Sequence, residues 1–513
     1  MTLLRSIATV GSMTMVSRVF GFVRDILIAA VLGAGMLADV FFVAFKFPNL
    51  FRRLFAEGAF NMAFVPIFAG ILEEEGEEAA RQFADQALAA LLWALLVLVI
   101  VLELTMPWAM MVFAPGFLAE PEKFDLAVAL TRITFPYIIF ISLVSLMAGV
   151  LNSFGKFAAA AASPILLNIC LIGAVLIFAP LAKTPAHALA WGVFVAGVVQ
   201  FGWLAAHCRR GGFQPRLRMP ALSDNVRLLV RRALPVALGA GIYQINLLID
   251  TIIASFLPAG SISYLFFADR VNQLPLGVVG VAVGTALLPM LSRQIRAGDD
   301  GAVQHSQNRA VEFSLLLTLP AACALFVIAD PLVRVLFERG AFGEPQAAAT
   351  AAALSIFALG LPAYVLVKAL APGFFARGDT ASPVKIAVCA MVVNVALSLI
   401  LMGPFLHVGI AMATAASSWL NAGLMAYVLH RRGHLVIDAR LKERLPRTLL
   451  ASVGMGAVLY FSMPGLAPWL VGAELERGLA LGVLIAAGLA SFAVLAQLSG
   501  AARLDDIKSL RRP

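Results

Sequence analysis

The stretch DILIAAVLGAGMLADVFF at residues 25–42 returns at residues 250–267 as DTIIASFLPAGSISYLFF, with eight identities in eighteen positions and no gap. The shared positions include the acids Asp25 and Asp250, the turns Ala34-Gly35 and Ala259-Gly260, and the pairs Phe41-Phe42 and Phe266-Phe267. Two residues out of that register, Pro66 answers Pro289. Each copy is an apolar run, a small-residue turn and a second apolar run, the pattern expected where one membrane helix hands over to the next. Windows of about 20 apolar residues, enough to cross ~30 Å of hydrocarbon, recur along nearly the whole chain. Fourteen are counted, centred near residues 20, 55, 98, 138, 170, 198, 242, 278, 318, 360, 394, 420, 455 and 488. The repeat returns after six windows, an even number, so both copies keep the same orientation. That predicts two parallel six-helix lobes related by an axis along the membrane normal, an arrangement found in transporters with a midplane site.

Composition agrees. Of 513 residues, 61% are hydrophobic and only 13% charged, with a mean hydropathy of +0.93; soluble domains carry roughly 25% charged residues. Closed β-barrels are the other way to span a bilayer, but they read as short alternating segments, and these windows are continuous. The expected fold is an all-α polytopic membrane protein with about fourteen transmembrane helices. One lobe covers residues 1–222, the second 223–435, and two extra helices with a cytoplasmic tail fill 436–513. The apolar stretch at 6–17 continues through Arg18, Arg24 and Asp25 without a cleavage site, so it reads as a retained helix.

The net charge of +9 points to a membrane surface rather than to nucleic acid, because of where the cations sit. Arg209, Arg210, Arg216, Arg218, Arg227, Arg231 and Arg232 follow the sixth window against a single acid, Asp224. Arg431, Arg432, Arg440, Lys442, Arg444 and Arg447 follow the twelfth, and the C-terminus adds four more. Loops after odd windows are poorer, with Lys123 among their few cations. The positive-inside rule then puts both termini in the cytoplasm. Cys170, Cys208, Cys323 and Cys389 are isolated in or beside apolar windows and read as packing residues. No nucleophile–histidine pattern, paired loop carboxylates or phosphate-binding glycine loop occurs, so an enzyme is not expected.

Charges inside the windows are the informative feature, since each costs at least ~2.5–3.5 kcal/mol near the bilayer centre. Arg18, Arg24 and Asp25 lie in the first window, and Asp39, Lys46, Arg52, Arg53 and Glu57 in the second. Asp250 lies in the seventh, Asp269 and Arg270 in the eighth, Lys368 in the tenth and Arg132 in the fourth. They concentrate on the first two helices of each half. At about 100° per residue, Arg18 and Asp25 fall within ~20° of one another, and Asp39, Lys46, Arg53 and Glu57 share a stripe if their helix is straight. Pro48 is expected to kink it, and Arg52 is taken as the inward-facing member of the Arg52–Arg53 pair. Arg53, Glu57 and Arg132, near helix ends, also fit snorkelling, and Lys46 with Asp39 also fits an internal salt bridge. Arg18, Arg24, Arg52 and Arg270 outnumber the nearby acids. Arginine stays charged and binds phosphate with a two-pronged fork, so the surplus predicts an anionic ligand.

The segments SRVFGFVRD (17–25), ADVFFVAFKFPNLFRRLFAEGAFNMAFVPIF (38–68), ADRVNQLPLGVVGVAVGTALLP (268–289) and KALAPGFFARGDTASPVKIA (368–387) resemble the signatures of the MurJ (MviN) family. That family lies within the multidrug/oligosaccharidyl-lipid/polysaccharide exporter superfamily. The resemblance is collinear along the chain and implies two six-helix lobes with two added C-terminal helices. It implies a flippase that moves lipid II, the undecaprenyl-pyrophosphate-linked disaccharide-pentapeptide, across the bacterial inner membrane for peptidoglycan synthesis, in company with cell-wall synthesis proteins. By the same resemblance Arg18, Arg24, Arg52 and Arg270 bind the pyrophosphate and other anionic parts of the head group, while Asp25 and Asp39 orient arginines or contact sugar and peptide. Lys46, Glu57, Asp269 and Lys368 are further cavity charges. The extra helices line a groove for the polyprenyl tail. A sodium site of Asp250, Asn394 and Thr414 is also implied, with Ser398 standing where a second carboxylate belongs and Gln273 replacing another acid. Sodium or the membrane potential would then drive the cycle, with no other cofactor. A flippase for another polyprenyl-linked glycan shares the pyrophosphate requirement, and a non-transporting envelope scaffold is the reading from another class. A drug antiporter would favour acids and aromatics over arginines.

Overall fold

The computed structural model describes residues 3–53, 60–213, 216, 219 and 223–502; Glu57, Arg218 and the tail from Arg503 onward lie outside them. Among these residues every regular element is helical, apart from one isolated bridge between Arg339 and Phe342. Two compact units are present: Met1–Ser263 with Arg339–Phe342, and Tyr264–Glu338 with Gly343–Pro513.

The first unit holds α1 (Leu3–Leu32), α2 (Met36–Phe51), α3 (Asn61–Glu74), α4 (Glu77–Leu104), α5 (Met106–Phe113), α6 (Pro121–Thr134), α7 (Tyr137–Ser153), α8 (Phe157–Gly173), α9 (Pro185–Arg210) and α10 (Asp224–Ser255). The repeat is visible in its joints. α1 ends at Leu32 and α2 begins at Met36, while α10 ends at Ser255 and the next helix begins at Ser261, so both copies of the quoted stretch form the same helix–turn–helix. Pro48 does not end α2; the helix runs on to Phe51 and gives way to wider π-type turns at Arg52 and Arg53. α2 buries Phe41, Phe42 and Phe47, and Phe47 packs edge-on against Phe113 and tilted against Phe135. α1 packs along α8, and α7 along α9. The linker after α9 is tied back to α4, where Asp85 accepts the Arg216 backbone N–H at 3.0 Å and Gln86 accepts the Ser223 hydroxyl at 2.7 Å.

The turn Arg339–Phe342 also belongs to this unit. Ala341 donates to the Ala30 carbonyl at 2.7 Å. Gly340 has φ +58°, and a Cβ there would stand 2.3 Å from the same oxygen, so only glycine fits the approach.

The second unit takes α11 (Ser261–Arg296) after its first three residues, then α12 (Asp300–Val327), α13 (Ala329–Phe337), α14 (Glu344–Phe375), α15 (Ala381–Arg431), α16 (Ala439–Leu470) and α17 (Glu474–Ser499). α12 carries the two last helices through α16, and Glu312 gathers the joint: it accepts from Arg309, from Arg440 at 3.2 Å and from Arg444 at 3.0 Å. Asp438, capping α16 through the Leu441 N–H at 2.7 Å, also pairs with Arg309.

Nine segments among the described residues are long and apolar enough to cross a membrane: 77–104, 121–153, 157–181, 185–210, 300–327, 344–375, 381–431, 439–470 and 474–499. α1 is also long, and it carries Arg18, Arg24 and Asp25. α15 has 51 residues, which as a straight helix would run far beyond the ~30 Å of a bilayer core. It turns at Leu406, with φ 51° and ψ −132°. The chain reverses there so tightly that a Cβ on Gly409 would lie 2.3 Å from the Leu401 carbonyl oxygen. Two predictions follow from opposite sides of this turn. Gly409→Ala forces backbone apart and should cost about 1–3 kcal/mol. Leu406→Gly removes a side chain from a glycine-type conformation and should raise stability by about 1 kcal/mol. Thermal unfolding of the purified variants in detergent should show the two shifts with opposite signs.

Candidate functional site

In the first unit, the charges singled out from the sequence are built in by three different means. Arg24 and Asp25 lie on α1 and are both buried, at 6% and 3% exposure. Asp25 Oδ1 accepts from Arg24 Nε at 3.0 Å and from Nη2 at 2.6 Å. Nη1 donates to Asn168 Oδ1 on α8 at 2.9 Å. Helical phase puts Asp25 beside Arg18, yet its partner is the adjacent Arg24. Arg18 is exposed and makes no hydrogen bond or ion pair among the described residues.

Asp39 is solved differently. It is 1% exposed at the start of α2. Its carboxylate accepts from Gly260 N at 2.7 Å, Ser263 N at 2.8 Å and Ser263 Oγ at 2.6 Å. Gly260 immediately precedes α11 and Ser263 lies in its first turn, where amides have no helical partner, and a carboxylate there also meets the positive end of the helix dipole. Asp39, in the first copy of the repeat, thus caps the helix that opens in the second copy. The internal salt bridge between Asp39 and Lys46 is not formed. Lys46, two turns along α2, donates to Thr251 Oγ1 on α10 at 2.5 Å.

Arg52 is half-buried and donates through Nε to Asn49 Oδ1 at 3.0 Å, while Arg53 is exposed. Glu57 falls outside the described residues. Arg132 is exposed and reaches the Glu103 carbonyl at 3.3 Å. Lys123, which the sequence places among loop cations, is 1% exposed in the first turn of α6, its ammonium 4.5 Å from the Phe117 ring centre and 3.6 Å from Glu120.

In the second unit, Asp269 and Arg270 on α11 are half-buried. The Arg270 guanidinium lies over the Phe266 ring at 4.8 Å, a cation–π contact one turn back along its own helix. Asp269 accepts from the Gln273 amide, one turn on. Lys368 is exposed on α14.

The sodium positions divide between the units: Asp250 in the first, Asn394 and Thr414 in the second. Asn394 and Ser398 are buried one turn apart on α15, and Ser398 Oγ has no hydrogen-bond partner among the described residues. Thr414 Oγ1 donates to the Ile410 carbonyl at 2.9 Å. The donors of this set within the second unit are the neutral oxygens of Asn394 and Thr414.

Asn168, Thr251 and Ser263 were not singled out from sequence. Each is a small polar residue in an apolar helix, where packing is the ordinary reading. The geometry of Asp39 yields a prediction. Asp39→Ala strands three buried donors and should cost about 3 kcal/mol, whereas Ser263→Ala, which leaves both backbone donors satisfied, should cost about 1 kcal/mol; denaturant unfolding of the two variants should preserve that order.

The chain is similar to known proteins along its whole length. The sequence model of a family described as "Lipid II flippase MurJ" matches residues 28–480. A probable lipid II flippase MurJ of Rhizobium tropici is 45% identical over 518 aligned residues, covering 100% of this chain and 96% of that protein. One from Rhizobium meliloti is 46% identical, covering 99% and 96%. Among solved structures, a lipid II flippase MurJ in an inward closed conformation superposes with a TM-score of 0.78 at 23% identity, covering 95% of this chain and 98% of that one. An inward-facing multidrug resistance MATE family transporter of the MOP superfamily gives 0.68 at 14% identity, covering 85% and 98%. The fold is that of these transporters, and by the family match and the full-length identity the chain belongs to the MurJ family.

Proposed function

We propose that this protein flips lipid II from the cytoplasmic to the periplasmic leaflet of a bacterial inner membrane by alternating access. The observation that carries the reading is the identity of 45% along the entire chain to a protein named a probable lipid II flippase. The chemistry of the polar residues supports it. A pyrophosphate needs fixed, permanently charged donors, and Arg18, Arg24, Arg52 and Arg270 supply them. Asp25 holds Arg24, and Asp39 holds the start of α11. Lys46, Glu57, Asp269 and Lys368 are further charged candidates for the head group.

In this reading fourteen helices span the bilayer, with lobes at 1–222 and 223–435 and an appendage at 436–513 whose two helices hold the polyprenyl tail against lipid. Both termini lie in the cytoplasm, beside the arginine-rich loops. The head group enters from the cytoplasmic leaflet, the tail stays in hydrocarbon, and rocking of the lobes turns the polar residues outward. The membrane potential favours one direction of the return step, since a unit charge moved through 100 mV gains ~2.3 kcal/mol. No step is assigned to sodium. Cell-wall synthesis proteins that consume the product on the outer face are the natural partners.

Arg24→Ala or Arg270→Ala should abolish growth in cells depleted of their own flippase while protein levels stay normal; full growth with both variants would remove the cationic site from the reading. In proteoliposomes the purified protein should move labelled lipid II. Equal transport of another undecaprenyl-pyrophosphate glycolipid would widen the substrate to that class, and transport of neither would favour a scaffold.

A further inference from the structure

Asparagine is costly in the middle of an apolar membrane helix, and α8 reads FAAAAASPILLNICLIG with Asn168 as its most polar residue. Asn168 is buried, at 5% exposure. Both ends of its amide are used, and both are used on α1. Oδ1 accepts from Arg24 Nη1 at 2.9 Å, and Nδ2 donates to the Ser17 carbonyl at 3.0 Å. Ser17 and Arg24 are seven residues apart, about two turns, so they present one face to α8. Gly21 lies between them, where a Cβ would stand 3.5 Å from the Asn168 amide nitrogen. The amide can sit only one way round. A guanidinium only donates and a carbonyl only accepts, so the oxygen must face Arg24 and the nitrogen Ser17.

We infer that Asn168 is a positioning residue for head-group binding, fixing the Arg24 guanidinium from α8 without cancelling its charge. The inference rests on the reading above, in which Arg24 meets an anionic head group. Asp25 compensates Arg24 but is its neighbour in sequence, on the same helix, and moves with it. Asn168 supplies the reference point outside α1. Of the five guanidinium N–H donors, Asp25 takes two and Asn168 one, and the remaining two have no partner among the described residues. An aspartate at 168 would hold the guanidinium as well, but it would put two carboxylates on one arginine and turn the group net negative. A neutral amide orients the fork, keeps the Arg24–Asp25 pair from turning net negative and leaves N–H donors for the head group.

The test is a double-mutant cycle on the full-length protein in nanodiscs, measuring affinity for lipid II together with thermal unfolding. Asn168→Ala should weaken lipid II binding about tenfold, the loss expected for one hydrogen bond to a charged group, and should have no further effect in the Arg24→Ala background. Asn168→Asp keeps an acceptor for Arg24 but turns a carboxylate oxygen toward the Ser17 carbonyl, so it should unfold earlier than wild type; measured well below its unfolding temperature, it should still bind lipid II more weakly. Equal losses from Asn168→Ala with and without Arg24 would reduce the residue to helix packing and overturn the inference. Wild-type affinity in Asn168→Asp would overturn it too. Wild-type affinity in Arg24→Ala would remove the underlying role of Arg24 and this inference with it, whereas weak binding in Arg24→Ala beside normal binding in Asn168→Ala removes this inference alone.

Discussion

Holding an arginine inside an apolar helix pair is the constraint on which the first unit depends. Arg24 cannot shed its proton, and burial of its charge is tolerable only with a counter-charge and satisfied N–H donors. Asp25 supplies the first and takes two of the donors, the shorter at 2.6 Å, and Asn168 takes a third at 2.9 Å. The pairing fixes how α1 and α8 can pack. The Asn168 amide also reaches Ser17, so the two helices are registered at two points a couple of turns apart. Rotating or sliding α1 would break both contacts together and leave a buried guanidinium half-satisfied.

Asp39 obeys the same rule with the opposite sign. A buried carboxylate could have taken Lys46, which lies two turns along α2. Instead it takes two backbone amides and a hydroxyl at the start of α11, while Lys46 takes the Thr251 hydroxyl. Spending the acid on neutral donors satisfies it and ties α2 to the second copy of the repeat.

Much of this was legible in the residues. The repeat at 25–42 and 250–267 marked two equivalent joints, and both fold as helix–turn–helix at Leu32–Met36 and Ser255–Ser261. The chain reversal inside α15 was foreshadowed by separate apolar windows near 394 and 420. Charge placement singled out Arg24, Asp25 and Asp39 because charge in hydrocarbon always needs a reason. Their partners were not legible. Helical phase says which residues share a face, not which helix that face meets, and Asn168 and Ser263 lie 144 and 224 residues from the side chains they bind. Phase also put Asp25 beside Arg18, whereas a long arginine side chain can fold back onto its own neighbour. Lys123 misled for a related reason: a lysine beside Glu120 and Glu122 looks like a solvated loop, and only the Phe117 ring lying over its ammonium reveals the burial.

A common device emerges where an amide stands next to a required charge. On α11, Gln273 donates to the Asp269 carboxylate one turn before it. An acid at 273 would set two carboxylates one turn apart, and one of them would have to take up a proton or turn away. The amide holds the Asp269 carboxylate in place while adding no charge of its own. Asn168 does the same for Arg24 with its other end, accepting where Gln273 donates. Neither amide adds a charge to the ion that it holds. In a bilayer, where each extra buried charge must itself be compensated, a carboxamide is the cheapest side chain that orients an ion and leaves its sign intact.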